Sequence, residues 1–98
     1  MSLALKCDNL DNVATIFANG IQDGDEIEVR DKMGGSEIVT VIGDVPYGHK
    51  IALVDMAPGD KVMKYGECIG AANKPIKKGE YVHVHNMDAL RGRGDLNA

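Results

Sequence analysis

Ninety-eight residues allow one domain with a modest core, since a folded chain of this size buries roughly 64% of the surface its unfolded form exposes. Enzyme pockets take up several hundred Å³ and tend to lie between domains or at the ends of large sheets, so a binding module or a subunit is expected in preference to a complete enzyme. Hydrophobic residues at 44%, charged residues at 27% and a net charge of −4 exclude a disordered chain.

The uninterrupted apolar runs are far shorter than the roughly 20 residues that span a bilayer, so no transmembrane helix is expected. The opening Met-Ser-Leu-Ala-Leu-Lys-Cys-Asp shows no basic leader followed by a long apolar run, and the cytoplasm is the expected compartment. Cys7 and Cys68 make neither a CxxC motif nor a disulfide framework and are read as reduced thiols. With no Trp, one Phe and three Tyr, the chain lacks the aromatic-studded basic surface of nucleic-acid binders. Charge is uneven: residues 1–45 carry nine acidic and three basic side chains, residues 46–98 six acidic and eight basic. The second half is therefore the one suited to anions.

Glycine and proline fall between short apolar runs, as turn punctuation for strands. In chain order, a helical turn is expected in part of Asp8–Val13, then strands at Val13–Ala18 and Glu26–Asp31. A hairpin tip follows at Asp31–Ser36, and strands at Glu37–Ile42, Lys50–Val54 and Lys61–Lys64. One helical turn is expected after Gly66, and a last strand at Tyr81–Asn86. Lys74, Lys77 and Lys78 read as a solvated face. A unit of the form apolar, two residues, glycine, acid, one residue, apolar occurs at Ile21–Ile27, Met56–Val62 and Ile76–Val82. Each copy reads as a tight turn that launches a strand, with glycine supplying a positive φ. The expected fold is mainly β, short strands joined by glycine-rich turns, with residues 1–90 as the domain and 91–98 as a C-terminal tail.

The chemistry-bearing residues gather in the second half. On a strand, alternate side chains share a face, so His83 and His85 would project together with Tyr81, while Val82 and Val84 face the other way. Two imidazoles at i and i+2 can bind one metal ion or grip one anion. A third metal ligand is open between His49, Asp55, Asp88 and another chain, and an exposed strand that merely shows polar imidazoles explains the pair equally. Val45-Pro46-Tyr47-Gly48-His49-Lys50 opens a strand with a turn that carries a proton donor and a cation, suited to a carboxylate. Arg91-Gly92-Arg93-Gly94 combines close backbone approach with guanidinium forks that pair with carboxylate or phosphate, although a basic linker has the same composition.

Four blocks carry a resemblance: Pro46-Tyr47-Gly48-His49-Lys50-Ile51-Ala52-Leu53, Lys64-Tyr65-Gly66-Glu67-Cys68-Ile69-Gly70, Gly79-Glu80-Tyr81-Val82-His83-Val84-His85-Asn86 and Arg91-Gly92-Arg93-Gly94-Asp95. In order and spacing they resemble the N-terminal SAF domain of the altronate and galactarate dehydratase family, and Asp11-Asn12-Val13-Ala14-Thr15 extends the likeness into the first half. The resemblance implies a SAF-type β-clip fold and a hydro-lyase setting, in which a 2,3-dihydroxy sugar acid loses water to give a 2-keto-3-deoxy acid. It also implies a divalent metal, ferrous iron or manganese, shared with a large subunit. In single-chain members a larger catalytic part follows the Arg-Gly-Arg-Gly-Asp segment, where this sequence stops, so the small subunit of a two-chain dehydratase is expected. Its partners would be the large catalytic subunit and a small sugar acid, with a homo-oligomer as a further form and neither nucleic acid nor membrane. By motif position, His83 and His85 are the candidate metal ligands and, with His49, the candidate catalytic groups. Lys50, Asn86, Arg91 and Arg93 are the candidate substrate contacts. Two alternatives stand beside this: the small subunit of a sulfolactate sulfo-lyase, and a stand-alone SAF module, either binding acidic sugars or serving only in oligomerisation.

Overall fold

A computed structural model describes residues 2–89; Arg91 and Arg93 lie outside them. Nine strands and no helix make up the described chain: β1 (Ser2–Lys6), β2 (Val13–Ile16), β3 (Glu26–Asp31), β4 (Ser36–Thr40), β5 (Lys50–Ala52), β6 (Lys61–Lys64), β7 (Glu67–Ala72), β8 (Tyr81–Val82) and β9 (Met87–Ala89). The mainly β expectation is met. A six-stranded sheet runs β4-β3-β1-β2-β5-β8, and a three-stranded one runs β6-β7-β9. All pairs are antiparallel except β1 with β3.

Both expected helical turns are corrected. At Asp8–Val13 the Asp8 carboxylate accepts the Leu10 N–H at 2.9 Å and its carbonyl accepts the Asp11 N–H at 3.0 Å. That is a side-chain-closed turn, and β2 begins at Val13 before a second helical turn can form. After Gly66 the chain enters β7, because Tyr65 and Gly66 both take positive φ (56° and 74°) and reverse it into a hairpin with β6. The hairpin tip at Asp31–Ser36 is as expected: Asp31 Oδ1 accepts the N–H groups of Met33 (2.9 Å) and Gly35 (2.7 Å), and β3 pairs with β4.

Two hydrophobic clusters form the core. Ala4, Ala14, Ile16, Ile27, Val29, Val39 and Ile51 belong to the first, and Val13, Ala52, Val62, Ile76, Val82 and Met87 to the second. β2 and β5 separate them. The pair Ala14 and Ile51 turns to one cluster and the neighbouring pair Val13 and Ala52 to the other, so these strands are apolar on both faces.

The turn-and-strand units pair up through isolated bridges, Ile21 with Val45 and Met56 with Ile76. The partner of Ile21 thus lies in a fourth unit, Val45–Ile51, which the sequence pattern passes over because His49 stands where the other three have an acid.

Candidate functional site

β8 ends after two residues, where a strand was expected to continue to Asn86. The cause is Asn86, which is 1% exposed. Its Oδ1 accepts the His83 N–H at 3.0 Å, its Nδ2 donates to the Tyr81 carbonyl at 2.9 Å, and its own N–H donates to the His83 carbonyl at 3.0 Å. These bonds fold residues 83–86 into a turn before β9 begins. Two-residue alternation therefore fails here: Val82 is buried in the second core, while Val84, expected on the same face, is 66% exposed.

The turn still gathers the imidazoles around Tyr81. The Tyr81 ring lies 5.7 Å from that of His83 and nearly parallel to it, at 11°, and 5.3 Å from that of His85. His49 arrives from the turn before β5, its ring centroid 4.8 Å from that of His83, and its Nδ1 is 2.6 Å from the Tyr81 hydroxyl. β5 pairs with β8 at Ile51 with Tyr81 and Lys50 with Val82, which is what brings the two segments together.

The electrostatics of this surface are cationic. Partial desolvation, and then the charges of His49, Lys50 and His85, hold the His83 imidazole below its ordinary pKa. Lys50 is half-buried, and burial followed by the charge of Lys64 lowers its pKa as well. Among the described residues, ion pairs join Arg30 with Glu28 and Lys78 with Glu37, and none reaches His49, Lys50, Lys64, His83 or His85. An open cluster of imidazoles, a phenol and lysines without carboxylate partners is suited to an anion.

Of the other candidates, Asp55 accepts the Lys78 N–H at 2.8 Å and Asp88 accepts from the Asn73 side-chain amide at 2.9 Å, so both carboxylates already have hydrogen-bond partners. Among the described residues no three His, Cys, Asp or Glu side chains are arranged to hold a metal ion. The described residues alone therefore do not supply a complete set of donors for the expected divalent metal. Asn86 spends its amide on the main chain. Lys74, Lys77 and Lys78 are exposed, as expected, and Cys7 and Cys68 are free thiols. Two residues of the surface were not among the candidates. Tyr81 was placed on the histidine face without a role of its own, although its ring touches all three imidazoles. Lys64 sits in a block of the family resemblance, but only folding shows that its charge acts on Lys50.

The sequence profile of the altronate/galactarate dehydratase SAF domain matches residues 2–90. The chain belongs to this family. This SAF domain is 43% identical to altronate dehydratase of Escherichia coli (strain K12) over 82 residues, 84% of this chain and 15% of that protein. It is 45% identical to (2R)-sulfolactate sulfo-lyase subunit alpha of Chromohalobacter salexigens over 47 residues, 48% of this chain and 50% of that protein. With the subunit of the same name from Paracoccus pantotrophus it shares 42% identity over 53 residues, 54% of this chain and 79% of that protein. The SAF domain thus spans a small fraction of the dehydratase and half of the first sulfo-lyase subunit. No helix among the described residues is long and apolar enough to cross a membrane.

Proposed function

We propose that this SAF domain acts as the small subunit of a two-chain hydro-lyase, presenting its histidine cluster to the cleft of a larger catalytic chain that dehydrates an altronate-like sugar acid. The observation that carries the reading is the meeting of His49, Tyr81, His83 and His85 beside Lys50 with no carboxylate paired to them. Eliminating water next to a carboxylate requires a base for the α-proton, an acid for the departing hydroxide and positive charge for the carboxylate and the enolate. Imidazoles and a phenol supply the first two kinds of group, and lysines the third. Arg91 and Arg93 add further carboxylate contacts in this reading. The divalent metal of the family resemblance, ferrous iron or manganese, would be shared with the larger chain, with His83 and His85 supplying ligands from this side. Relatives named as subunits support a separate small chain of this kind.

The test is co-expression with a large dehydratase chain and assay of keto-acid formation from altronate. Activity that requires both chains supports the proposal, whereas equal activity without the small chain refutes it. The sulfo-lyase names favour a second reading, in which the partner chain releases sulfite from sulfolactate; the same reconstitution with sulfolactate as substrate separates the two.

A further inference from the structure

Four corners of the fold are built alike. At each one a closing residue donates its backbone N–H three positions back: Asp25 to Gln22 (3.0 Å), His49 to Pro46 (3.2 Å), Asp60 to Ala57 (2.9 Å) and Glu80 to Lys77 (2.9 Å). The residue before each is a glycine with positive φ: Gly24 at 89°, Gly48 at 83°, Gly59 at 94° and Gly79 at 92°. Each of these glycines donates its N–H across to another segment, to Val41, Ile16, Ala72 and Ala52 in turn, at 2.7 to 2.8 Å. The same four residues donate back to the carbonyls of Asp25, His49, Asp60 and Glu80. By backbone geometry the four corners are one motif.

Their side chains divide three to one. In three corners the carboxylate of the closing residue folds back onto its own turn and accepts the N–H of Gln22 (2.8 Å), Ala57 (2.8 Å) or Lys77 (2.9 Å). The fourth corner departs at both ends of that bond at once. Pro46 has no N–H to offer, and His49 stands in place of the acid. Proline already fixes φ, so the turn forms without the clamp, and the imidazole is left with no work in its own corner. It meets the hydroxyl of Tyr81 instead, at 2.6 Å.

We propose that Pro46 and His49 together are a functional substitution in a structural repeat, which releases the His49 imidazole from turn closure to form a proton-handling pair with Tyr81 on the cationic surface. The Tyr81 hydroxyl donates to Nδ1, which fixes the neutral imidazole as the tautomer with its proton on Nε2. With its proton directed to Nδ1, the phenol oxygen is left to accept from a hydroxyl of a hydroxy-acid anion, while the Nε2–H of His49 is free to donate to that ligand. The assignment rests on the anion-facing reading of the cluster and deepens it, by giving Tyr81 a task and His49 a specific partner.

Two measurements on the full 98-residue chain decide the pair without any substrate. The first is a double-mutant cycle of Pro46→Ala and His49→Asp. Aspartate at position 49 should raise the melting temperature in the Pro46→Ala background, where the clamp can form, and fail to do so beside Pro46. Equal shifts in both backgrounds overturn the proposal. The second is imidazole ¹⁵N NMR, with Nδ1 of His49 expected unprotonated and Nε2 protonated, and the tautomer balance moved by Tyr81→Phe. A His49 spectrum indifferent to that change also overturns it. In the assembled enzyme, Tyr81→Phe and His49→Gln should each lower kcat about 100-fold or more with KM little changed, and the double variant should lose no more than either single one. Wild-type kinetics in either variant overturn the proton-handling role. Reconstitution that yields no activity with the wild-type chain refutes the subunit reading, while the cycle and the NMR still decide the pair.

Discussion

Gly79 packs so closely against the carbonyl of Thr40 that a Cβ on it would land on the oxygen. The contact is reinforced by the Ile42 N–H, which donates to the Gly79 carbonyl at 2.8 Å. It fastens the corner that launches β8 to the end of β4, and with it the segment that carries Tyr81. Gly79→Ala should therefore cost about 4 kcal/mol, combining the strain of a side chain at positive φ with overpacking against backbone that cannot yield. Gly24, with a similar φ, has open space where its Cβ would go. Gly24→Ala should lose only about 1–2 kcal/mol. Urea unfolding of both variants checks the contrast.

Asp11 is a buried carboxylate with no cation on it; its partners are three backbone N–H groups, those of Cys7 (3.1 Å), Asp8 (3.0 Å) and Gly66 (2.8 Å). The last bond ties the β6–β7 hairpin to the β1–β2 connection. Asp11→Ala strands these donors and should destabilise by about 3 kcal/mol. Asp11→Asn keeps one acceptor oxygen and should lose less. Chemical denaturation of the two variants ranks them.

Replacing Asn86 should damage the site by way of the fold. Without its amide, residues 83–86 lose the bonds that hold their turn. Asn86→Ala should cost about 2 kcal/mol and broaden the His83 and His85 resonances in NMR spectra. A variant of native stability that only weakens ligand affinity would instead make Asn86 a direct contact.

Because the folded His83 titrates below the ordinary 6.5, the unfolded chain binds more protons over the interval between the two values. Unfolding free energy therefore rises with pH across that interval. The contribution is complete above pH 6.5 and is lost as the pH falls through the folded value. His83→Gln should flatten this part of the melting-temperature profile. An unchanged slope in the variant would assign the dependence to another group.

Lys64 bears on Lys50 through like charge. Lys64→Gln should raise the Lys50 pKa towards 10.5 and leave stability at neutral pH equal or higher. Affinity for a carboxylate ligand should fall, because one of two unpaired cations has gone. Titration calorimetry with the assembled enzyme measures the second effect.

Much of the architecture was legible in the residue pattern. Glu26–Asp31 and Lys61–Lys64 are strands at the expected bounds. The repeated Gly-acid units are turns because only glycine suits their φ and the acid closes them. β7 was hidden by its small residues, Gly70, Ala71 and Ala72, whose packing against β9 is a tertiary matter: a Cβ on Gly70 would strike the Asp88 carbonyl. In the site, the three imidazoles could be named from their positions, but the partners could not. Alternation put Val84 on the same face as the buried Val82, and the Asn86 turn, a side-chain effect at a distance of three residues, put it out in solvent. The Tyr81–His49 contact spans 32 positions and depends on the β5–β8 register, which no local pattern encodes.

Tyr81 rests on one hydrophobic cluster, and its neighbour Val82 fills the other. An anion bound at Tyr81 would thereby be linked to both halves of the interior, and its binding energy would appear as resistance of the fold to heat. A thermal-shift screen of hydroxy acids and sulfonated acids therefore reads occupancy of this surface directly, before any catalytic partner is in hand.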